Sequence, residues 1–497
     1  MRTWGISALS HDAALAVVND GELDFAGHSE RYSRVKNDPM LHQDLISEAL
    51  CYGIPDHIAW YERPNLKRSR HVWAGQWREA VSARSTPKSY LRSLRLPFKL
   101  PQITFVAHHS SHAAAGFATS GFKEAAVIVG DAIGEWRTFS IMHCRLGLEP
   151  RLLHRRNYPH SLGLLYSAFT RRCGFRPNED EYIIMGLAAL GKPRYVDDIY
   201  DELIVAEPPS FRLRINPHRG IGDWRPGADV ADLAASIQGV TEDILIGAAR
   251  WARRETGSSN LVFMGGIALN CVVNSRIASA QLFDQAWIFP NPGDAGSSVG
   301  AAAACAGQLR WRGPYLGTDI SGEYPVADIV KELLGRGVIG VASGRAEFGP
   351  RALGNRSLLA DPSVPDMQDI VNGIKGREPF RPFAPIVRQE IAHELFDLPV
   401  AKSPYMQYVG TCRELKTYPA IAHVDGTSRV QTVSREEHPG LYAVLEDWES
   451  ATGRRVLLNT SLNSKGEPLV NTREQALAFG ERTGVRVLAP GARSDDP

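Results

Sequence analysis

Two stretches far apart in the chain follow one plan: an apolar strand-like run, a turn built on an acidic residue and glycine, then a second extended run. The first joins TWGISAL and AALAVV to Asn19-Asp20-Gly21 and ELDFAGHSE. Asn-Asp-Gly between β-rich runs predicts a tight hairpin, because these residues tolerate the positive φ that such a turn demands. The second is EAAVIVGDAIGEWRTFSIMHC, in which Glu124 to Val129 ends in Gly130-Asp131 and an extended run follows Glu135. A repeated strand-turn-strand unit among helical stretches confines the first half to a duplicated α/β fold. Val230 to Glu255 is apolar at helical spacing, and Ser297 to Leu309 reads as a small-residue helix opening just after Gly293-Asp294.

The chain has 497 residues, more than one hydrophobic core usually organises, so two or three domains are expected. Gly, Pro, Asp and Ser in WRGPYLGTDISGEYP place a linker near residues 310 to 325. Beyond it VADIVKELLGRG predicts an amphipathic helix and VIGVASG a strand, opening a second α/β unit to about residue 490, with ARSDDP a frayed tail. Hydrophobic residues at 43% and charged residues at 22% describe a packed chain rather than a disordered one. Lys+Arg 56 against Asp+Glu 55 removes the global basicity that steers proteins onto nucleic acid or anionic lipid. The cysteines Cys51, Cys144, Cys173, Cys271, Cys305 and Cys412 form no C-x-x-C pair and read as buried thiols of a reducing compartment. His11 and Asp12 interrupt the first apolar run before a signal segment can form, and no run reaches the ~20 residues that span a bilayer. The expected address is the cytoplasm, without membrane contact.

The densest chemistry lies in His108-His109-Ser110-Ser111-His112. On a helix His108 and His112 stand one turn apart on one face, the spacing that lets two imidazoles share a metal. Asp131 and Asp294 each sit in Gly-Asp-Ala after an apolar run, where a carboxylate can enter a cleft. Two imidazoles and two carboxylates suit Fe(II), Mn or Zn. The plain alternative is a polar helix start with satisfied histidines. Gly265-Gly266-Ile267-Ala268-Leu269-Asn270 follows the strand-like LVFM; glycines there admit a close nucleotide, and equally a tight turn with no ligand. The second half carries Arg345, Arg351, Arg356, Lys375, Arg377, Arg381 and Arg429 among Gly, Pro and Phe. Arg is favoured where a planar fork grips phosphate or carboxylate, while surface salt bridges are the alternative. Asn459-Thr460-Ser461 ends an apolar strand, the position where α/β sheets commonly bind ligands.

HDAALAVVNDGEL, HHSSHAAA, EYIIMGLAALGKPRY, GGIALNCVVN, NPGDAGSSVGAA, GRAEFGPRALGNRSLLADP, REPFRPFAP, HVDGTSRVQTV and LLNTSLNSKGEP resemble, in order, the signature blocks of the nodulation and antibiotic-biosynthesis O-carbamoyltransferases. The resemblance covers nearly the whole chain. It implies an α/β protein with an N-terminal duplicated actin/hsp70-like (Kae1-like) domain over 1–315 and a C-terminal twisted α/β YrdC-like domain over 316–497. In such enzymes the C-terminal domain makes carbamoyl-adenylate from carbamoyl phosphate and ATP, the latter with Mg. The mixed anhydride passes internally to the N-terminal domain, where a metal-assisted site hands the carbamoyl group to an acceptor hydroxyl. By the resemblance His108, His112, Asp131 and Asp294 fall on metal positions, with Fe(II) first among the candidates. Arg351, Lys375, Arg381, Arg429, Asn459 and Ser461 fall on blocks holding carbamoyl phosphate and the adenylate, and Gly265, Gly266 and Asn270 on the nucleotide loop. His11 and Asp12 fall on the acceptor-facing block, where His11 either receives the hydroxyl proton or only positions the acceptor. Ile183 stands where the family usually has a basic residue, and the modest length implies a reduced acceptor cap.

From Glu62 to Lys99 the chain holds Arg63, Lys67, Arg68, Arg70, Arg78, Arg84, Lys88, Arg92, Arg95 and Lys99 against Glu62 and Glu79, with Trp73, Trp77 and Tyr90 interleaved. It reads as a solvated basic helix pair or as a grip on an anionic acceptor such as a nucleotide or phosphorylated sugar. Competing functions are hydrogenase-maturation carbamoyl transfer, against which the domain order and missing C-x-x-C pairs argue, and tRNA threonylcarbamoylation, against which the near-zero charge argues. An ATP-binding regulatory module without chemistry is the third, opposed by the intact metal-position and Arg blocks.

Overall fold

The computed structural model describes residues 1–81, 86–378, 381 and 383–491. The chain divides into two compact units, Met1–Ser29 with Asn37–Trp311, and Glu30–Lys36 with Arg312–Pro497. Arg84 and the tail from residue 492 lie outside the described residues.

In the first unit β1 (Arg2–Ser7), β2 (Ala14–Asn19), β3 (Glu22–His28), β4 (His57–Trp60) and β5 (Gln102–Phe105) form a sheet ordered β3-β2-β1-β4-β5. A second sheet is built from β6 (Glu124–Gly134), β7 (Arg137–Arg145), β8 (Arg151–Asn157), β11 (Asn260–Met264) and β12 (Gln285–Trp287), ordered β12-β11-β6-β7-β8. A separate hairpin, β9 (Ile204–Glu207) with β10 (Ser210–Leu213), precedes β11. Both sheets repeat one topology: the three hairpin-joined strands are antiparallel and the two added strands parallel. The Asn19-Asp20-Gly21 turn is the tight one expected, with φ of +46° at Asp20 and +85° at Gly21.

The helices of this unit are α2 (Gln43–Cys51), α3 (Pro64–Trp73), α4 (Trp77–Val81), α5 (Pro87–Ser93), α6 (His108–Ser120), α7 (Leu162–Arg172), α8 (Glu181–Leu187), α9 (Val196–Glu202), α10 (Val230–Thr256), α11 (Cys271–Ser279) and α12 (Ser297–Ala306). Helix α1 (Ser29–Ser33) runs into the 30–36 segment of the other unit. Helix α6 lies on β6 and β11, α12 on β1, β2 and β4, and the two helices pack on each other, giving layers sheet-helix-helix-sheet. Small residues permit this closeness. A Cβ on Gly300 of α12 would fall 1.7 Å from the Ser111 carbonyl of α6, and one on Gly5 of β1 would fall 1.9 Å from the Ser298 carbonyl. Helix α10 starts at Asp229, whose carboxylate accepts the amides of Ala231 and Asp232, and stops at left-handed Gly257.

Four sequence expectations need correction. Strand β6 does not end at Gly130-Asp131 but continues to Gly134, with its hairpin turn at Glu135; its register slips between Gly130 and Gly134, so Asp131 stands in an irregularity that aims its side chain out of the ladder. The 310–325 stretch is not all linker, because Tyr315–Ile320 pairs antiparallel with Gly344–Glu347. Cys51 is exposed and Cys305 half-buried, although all six cysteines are free thiols. Tyr90 is buried and accepts the Leu41 amide, so it belongs to the core rather than to a stacking surface.

The second unit gathers α13 (Val326–Arg336), α14 (Met367–Lys375), α15 (Ala392–Leu395), α16 (Pro439–Thr452) and α17 (Arg473–Thr483) around a sheet. Strand β13 (Tyr315–Ile320) pairs with β15 (Gly344–Glu347). Strands β14 (Val338–Ala342), β16 (Arg356–Ala360), β17 (Ala384–Arg388), β18 (Phe396–Asp397), β19 (Tyr408–Cys412), β20 (Thr427–Val433), β21 (Val456–Ser461) and β22 (Val487–Leu488) make a mixed sheet ordered β18-β19-β20-β17-β21-β16-β14-β22. Residues alternate between its faces. Leu358, Ala360, Val456 and Leu458 pack toward α14, α15 and α17, whereas Leu359 and Leu457 pack toward α13 and α16. The 30–36 segment is tied to this unit by Arg31 on the Gly349 carbonyl and Arg34 on those of Pro468 and Leu469. No helix among the described residues is long and apolar enough to cross a membrane.

Candidate functional site

Helix α6 begins at His108, so His108 and His112 share a face as their spacing requires. The irregularity in β6 brings Asp131 to them, and the turn of Asp294–Gly296 ahead of α12 brings Asp294. One ligand atom from each of the four lies within 4.8 Å of all the others. His108 Nε2 is 2.9 Å from Asp131 Oδ2 and 3.3 Å from Asp294 Oδ1; His112 Nε2 is 3.5 and 3.4 Å from the same oxygens. The two Nε2 atoms are 3.1 Å apart. All four groups are buried or nearly so.

This arrangement fits a divalent cation. Two imidazole nitrogens facing each other cannot both carry a proton without repulsion, whereas a cation among them is attracted by both lone pairs and balances both carboxylates. Burial alone would depress His108 and His112, yet the two carboxylates override it and raise both; the histidines in turn hold Asp131 and Asp294 low against the effect of burial. Both Nδ1 atoms are buried with no hydrogen-bond partner among the described residues. Packing sets the rings instead. His108 lies 5.2 Å from the Tyr61 ring, and a Cβ on Gly134 would come 2.1 Å from His108 Cδ2. His109 points elsewhere, its Nδ1 2.8 Å from Ser140 Oγ, and burial keeps it well below the usual histidine range.

His11 and Asp12 lie on the β1–β2 loop, with His11 Nδ1 3.0 Å from Asp12 Oδ2. Leu9 and Asp12 both hold positive φ, +68° and +54°, a conformation that costs non-glycine residues and persists only where surroundings impose it. Here the Leu9 and Ala13 amides donate to Pro39 and Asp38, and Lys67 Nζ holds the Leu9 carbonyl at 3.0 Å. Burial would lower His11, but Asp12 first, then Asp294 and Asp131, raise it to about 9. Without a metal ion this imidazole is therefore cationic at neutral pH.

Gly265 and Gly266 also border the centre. A Cβ on Gly265, at φ +87°, would strike the Gly130 carbonyl at 2.1 Å, and one on Gly266 would stand 3.4 Å from Asp131 Oδ1. Asn270 caps α11 through the Val273 amide and pairs with Gln238.

In the second unit Lys375 ends α14 and is buried, its Nζ donating to Ser461 Oγ at 3.1 Å, Asn463 O at 2.9 Å and Asn463 Oδ1 at 3.0 Å, and to the Ser461 carbonyl. All these acceptors are neutral, and among the described residues no carboxylate lies within ion-pair distance of it. Burial first, then Arg377, Arg381 and Lys36, hold its ammonium well below the usual lysine range. Arg381 reaches Glu378 at 3.5 Å, and Arg377 stacks over Phe383 at 4.0 Å. Asn459 donates to the carbonyl of Ala352, the neighbour of Arg351, and to Gln431 on β20, which also carries Arg429. Two arginines of the sequence cluster are structural. Arg356 is fully buried, its guanidinium spent on the carbonyls of Thr318, Ser343, Gly344, Asn355 and Asn471, and Arg345 bonds those of Leu316 and Gly317.

Sequence reasoning missed Tyr61, Glu135 and Asn463. Glu135 Oε1 accepts the His108 amide at 3.3 Å and the Arg63 amide at 2.5 Å, joining the start of α6 to α3. Its place after Gly134 was visible, but no spacing rule connects it to His108.

The family description "Carbamoyltransferase N-terminus" matches residues 87–303 and "Carbamoyltransferase C-terminus" matches 330–493. An uncharacterized protein of Synechocystis is 36% identical, covering 97% of this chain and 95% of that one. Nodulation protein NolNO of Sinorhizobium fredii is 33% identical over 97% of this chain and 78% of its own. The 3'-hydroxymethylcephem-O-carbamoyltransferase of Amycolatopsis lactamdurans is 28% identical over 97% and 96%. The chain belongs to the carbamoyltransferase family. It is an enzyme of carbamoyl transfer, with an O-carbamoyltransferase among its relatives.

Proposed function

We propose that this chain is an ATP-dependent O-carbamoyltransferase whose second unit, a YrdC-like domain, activates the carbamoyl group and whose first, a Kae1-like domain, transfers it to a hydroxyl of a small-molecule acceptor. Carbamoyl phosphate and water give carbamate and phosphate; a carbamate oxygen then attacks the α-phosphorus of ATP, expelling pyrophosphate and forming carbamoyl-adenylate. The observation that carries this reading is the Lys375 cradle. A buried lysine held only by neutral oxygens and crowded by arginines carries its proton at a cost, and a phosphate group bound there would stabilise the charged form. Arg351, Arg381 and Arg429 complete the phosphate-holding set in this reading, with Asn459 and Ser461 as neutral partners and Gly265, Gly266 and Asn270 beside a nucleotide.

In the transfer step the acceptor oxygen attacks the carbamoyl carbon, the bond to the adenylate oxygen breaks, and AMP leaves. His108, His112, Asp131 and Asp294 would hold Fe(II), Mn or Zn, which when bound would supply Lewis-acid polarisation of a phosphoryl or carbonyl oxygen and would offset Asp131 and Asp294, the lesser of the carboxylates that raise His11. His11, oriented by Asp12, then takes the hydroxyl proton.

The test incubates the full chain with Mg-ATP and follows pyrophosphate with and without carbamoyl phosphate, then screens hydroxylated acceptors for carbamoylated products by mass spectrometry. Pyrophosphate release that requires carbamoyl phosphate is expected. Release from ATP alone at the same rate, or none under either condition, rejects the activation chemistry.

A further inference from the structure

The basic helices beyond Glu62 have a role that the transfer reading leaves open, and the side chains around Trp73 indicate it. Trp73 closes α3 and is 61% exposed, although it is one of the largest apolar residues available. It meets the edge of Trp136 at 5.6 Å and of Tyr158 at 5.7 Å. Each partner is fixed. Trp136 donates Nε1–H to Ser69 Oγ of α3 at 2.9 Å, and the Tyr158 amide donates to the Trp136 carbonyl at 2.8 Å. Three rings from three segments thus meet in one cluster, in which Tyr158 is buried, Trp136 half-buried and Trp73 exposed.

Cations surround that cluster. Arg70 stands one helical turn before Trp73 on the same face, close to Glu62, Tyr158 and Tyr61, and among the described residues its side chain bonds His71 Nε2 at 3.2 Å. His71 Nδ1 lies 2.7 Å from Gln76 Oε1, which holds the ring with Nε2 toward Arg70. Arg137, on β7 directly after Trp136, lies near Glu135, Arg155 and Arg63. Among the described residues no carboxylate lies within ion-pair distance of Arg63, Arg70 or Arg137. The nearby carboxylates are committed elsewhere: Glu62 to Lys67 at 2.7 Å, Glu135 to the amides of Arg63 and His108. Burial lowers both Arg70 and Arg137, and Glu62 beside Arg70 and Glu135 beside Arg137 offset that only in part, so each guanidinium is partly desolvated and lacks a paired carboxylate. The cluster also borders the centre, since Glu135, the residue before Trp136, bonds the His108 amide.

We infer that Trp73, Trp136 and Tyr158 with Arg63, Arg70 and Arg137 form the acceptor subsite, and that the acceptor is a hydroxylated ring bearing an anionic group, phosphate or carboxylate. The inference rests on the carbamoyl-transfer reading for the word acceptor, but the subsite's chemistry does not. The ring lies on the exposed tryptophan face, where stacking tolerates a sugar or a planar base, and the guanidiniums grip the anion bidentately. The hydroxyl is thereby presented toward the His108 side. Trp77, at 62% exposure, stands outside the cluster and has no part in it.

The experiment measures binding, which does not depend on turnover and so separates this inference from the carbamoyl-transfer reading. Calorimetry on the full chain compares glucose with glucose 6-phosphate and with glucuronate, for the wild type and for Arg70→Gln, Arg70→Lys, Arg137→Gln and Trp73→Ala. At least one anionic sugar is expected to bind about tenfold or more tighter than glucose. Arg70→Gln should remove most of that preference and Arg70→Lys only part, while Trp73→Ala, at an exposed site that does not endanger folding, should weaken neutral and anionic sugars alike by about fivefold. Equal binding of all three sugars by the wild type would sink the subsite. So would a preference that survives both Arg70→Gln and Arg137→Gln, which would put the anion elsewhere. Phosphate preferred over carboxylate, or the reverse, decides which anion the acceptor carries.

Discussion

His438 shows how far one side chain can be committed by its surroundings. It caps α16 by accepting the Leu441 amide on Nδ1 at 3.0 Å, leaving Nε2–H to donate to Asn355 Oδ1 at 2.9 Å, and Tyr315 and Tyr324 meet its ring edge-on. A proton on Nδ1 would destroy the cap and place a charge in an apolar cage at the positive end of a helix. Burial accordingly lowers it to about 4. Between pH 6.5 and 4 the unfolded chain binds a proton here that the folded chain refuses, so stability falls as pH falls through that window, by about 3 kcal/mol. His438→Asn keeps a capping group and loses the titration. In urea unfolding the variant should be the less stable at pH 7, and the gap should narrow toward pH 4; a gap that stays constant removes His438 as the cause. At the centre, Asp294→Asn leaves one carboxylate where two would balance a dication, and metal affinity should drop at least about a hundredfold by competition with a chelator. Undiminished affinity would mean Asp294 is not a ligand. The four centre residues were legible in sequence because helix spacing and the repeated Gly-Asp-Ala carry their own geometry. Arg356 and Tyr90 were misread because nothing local says that a guanidinium will be consumed by backbone carbonyls or a tyrosine by the core.

Elements matter to the site through how closely they approach. Asp294 comes within reach of His112 only because α12 lies against α6, and that contact has no room for a Cβ at Gly300. Gly300→Ala should therefore destabilise the chain by about 3 kcal/mol, since the obstacle is a backbone carbonyl that cannot swing aside. Metal affinity should fall with it as α12 shifts, whereas a helix-surface glycine such as Gly335, with open space around its Cβ position, should tolerate alanine. Thermal unfolding and metal titration of the two variants check this; equal tolerance would mean that the helices can separate freely. The hairpins, α10 and the α6 face were readable because their periods and caps are local. The irregularity carrying Asp131 was not, because a register slip is decided by the partner strand β7 and by the ring of His108 filling the space at Gly134. The membership of 30–36 in the second unit is equally silent in sequence, resting on carbonyls more than three hundred residues away.

At the scale of the whole molecule, the candidate metal ligands and the buried Lys375 lie in different units, so the proposed transfer and activation steps would be divided between them. All four candidate ligands belong to the first unit, and Lys375 with its oxygen acceptors to the second. Removing the metal should therefore separate the two half-reactions. A transition-metal chelator applied to the full chain, with Mg restored afterward for ATP, should leave pyrophosphate release dependent on carbamoyl phosphate while carbamoylated product disappears. Readdition of Fe(II), Mn or Zn should restore product, and the metal that restores it best identifies the ion the two imidazoles and two carboxylates prefer. Lys375→Met should give the opposite pattern, abolishing pyrophosphate release while metal binding persists, because a neutral side chain fills the cradle without offering a charge to phosphate. If chelation stops pyrophosphate release as well, activation itself depends on the centre in the first unit, and the division of labour between the units is wrong even though the family assignment stands.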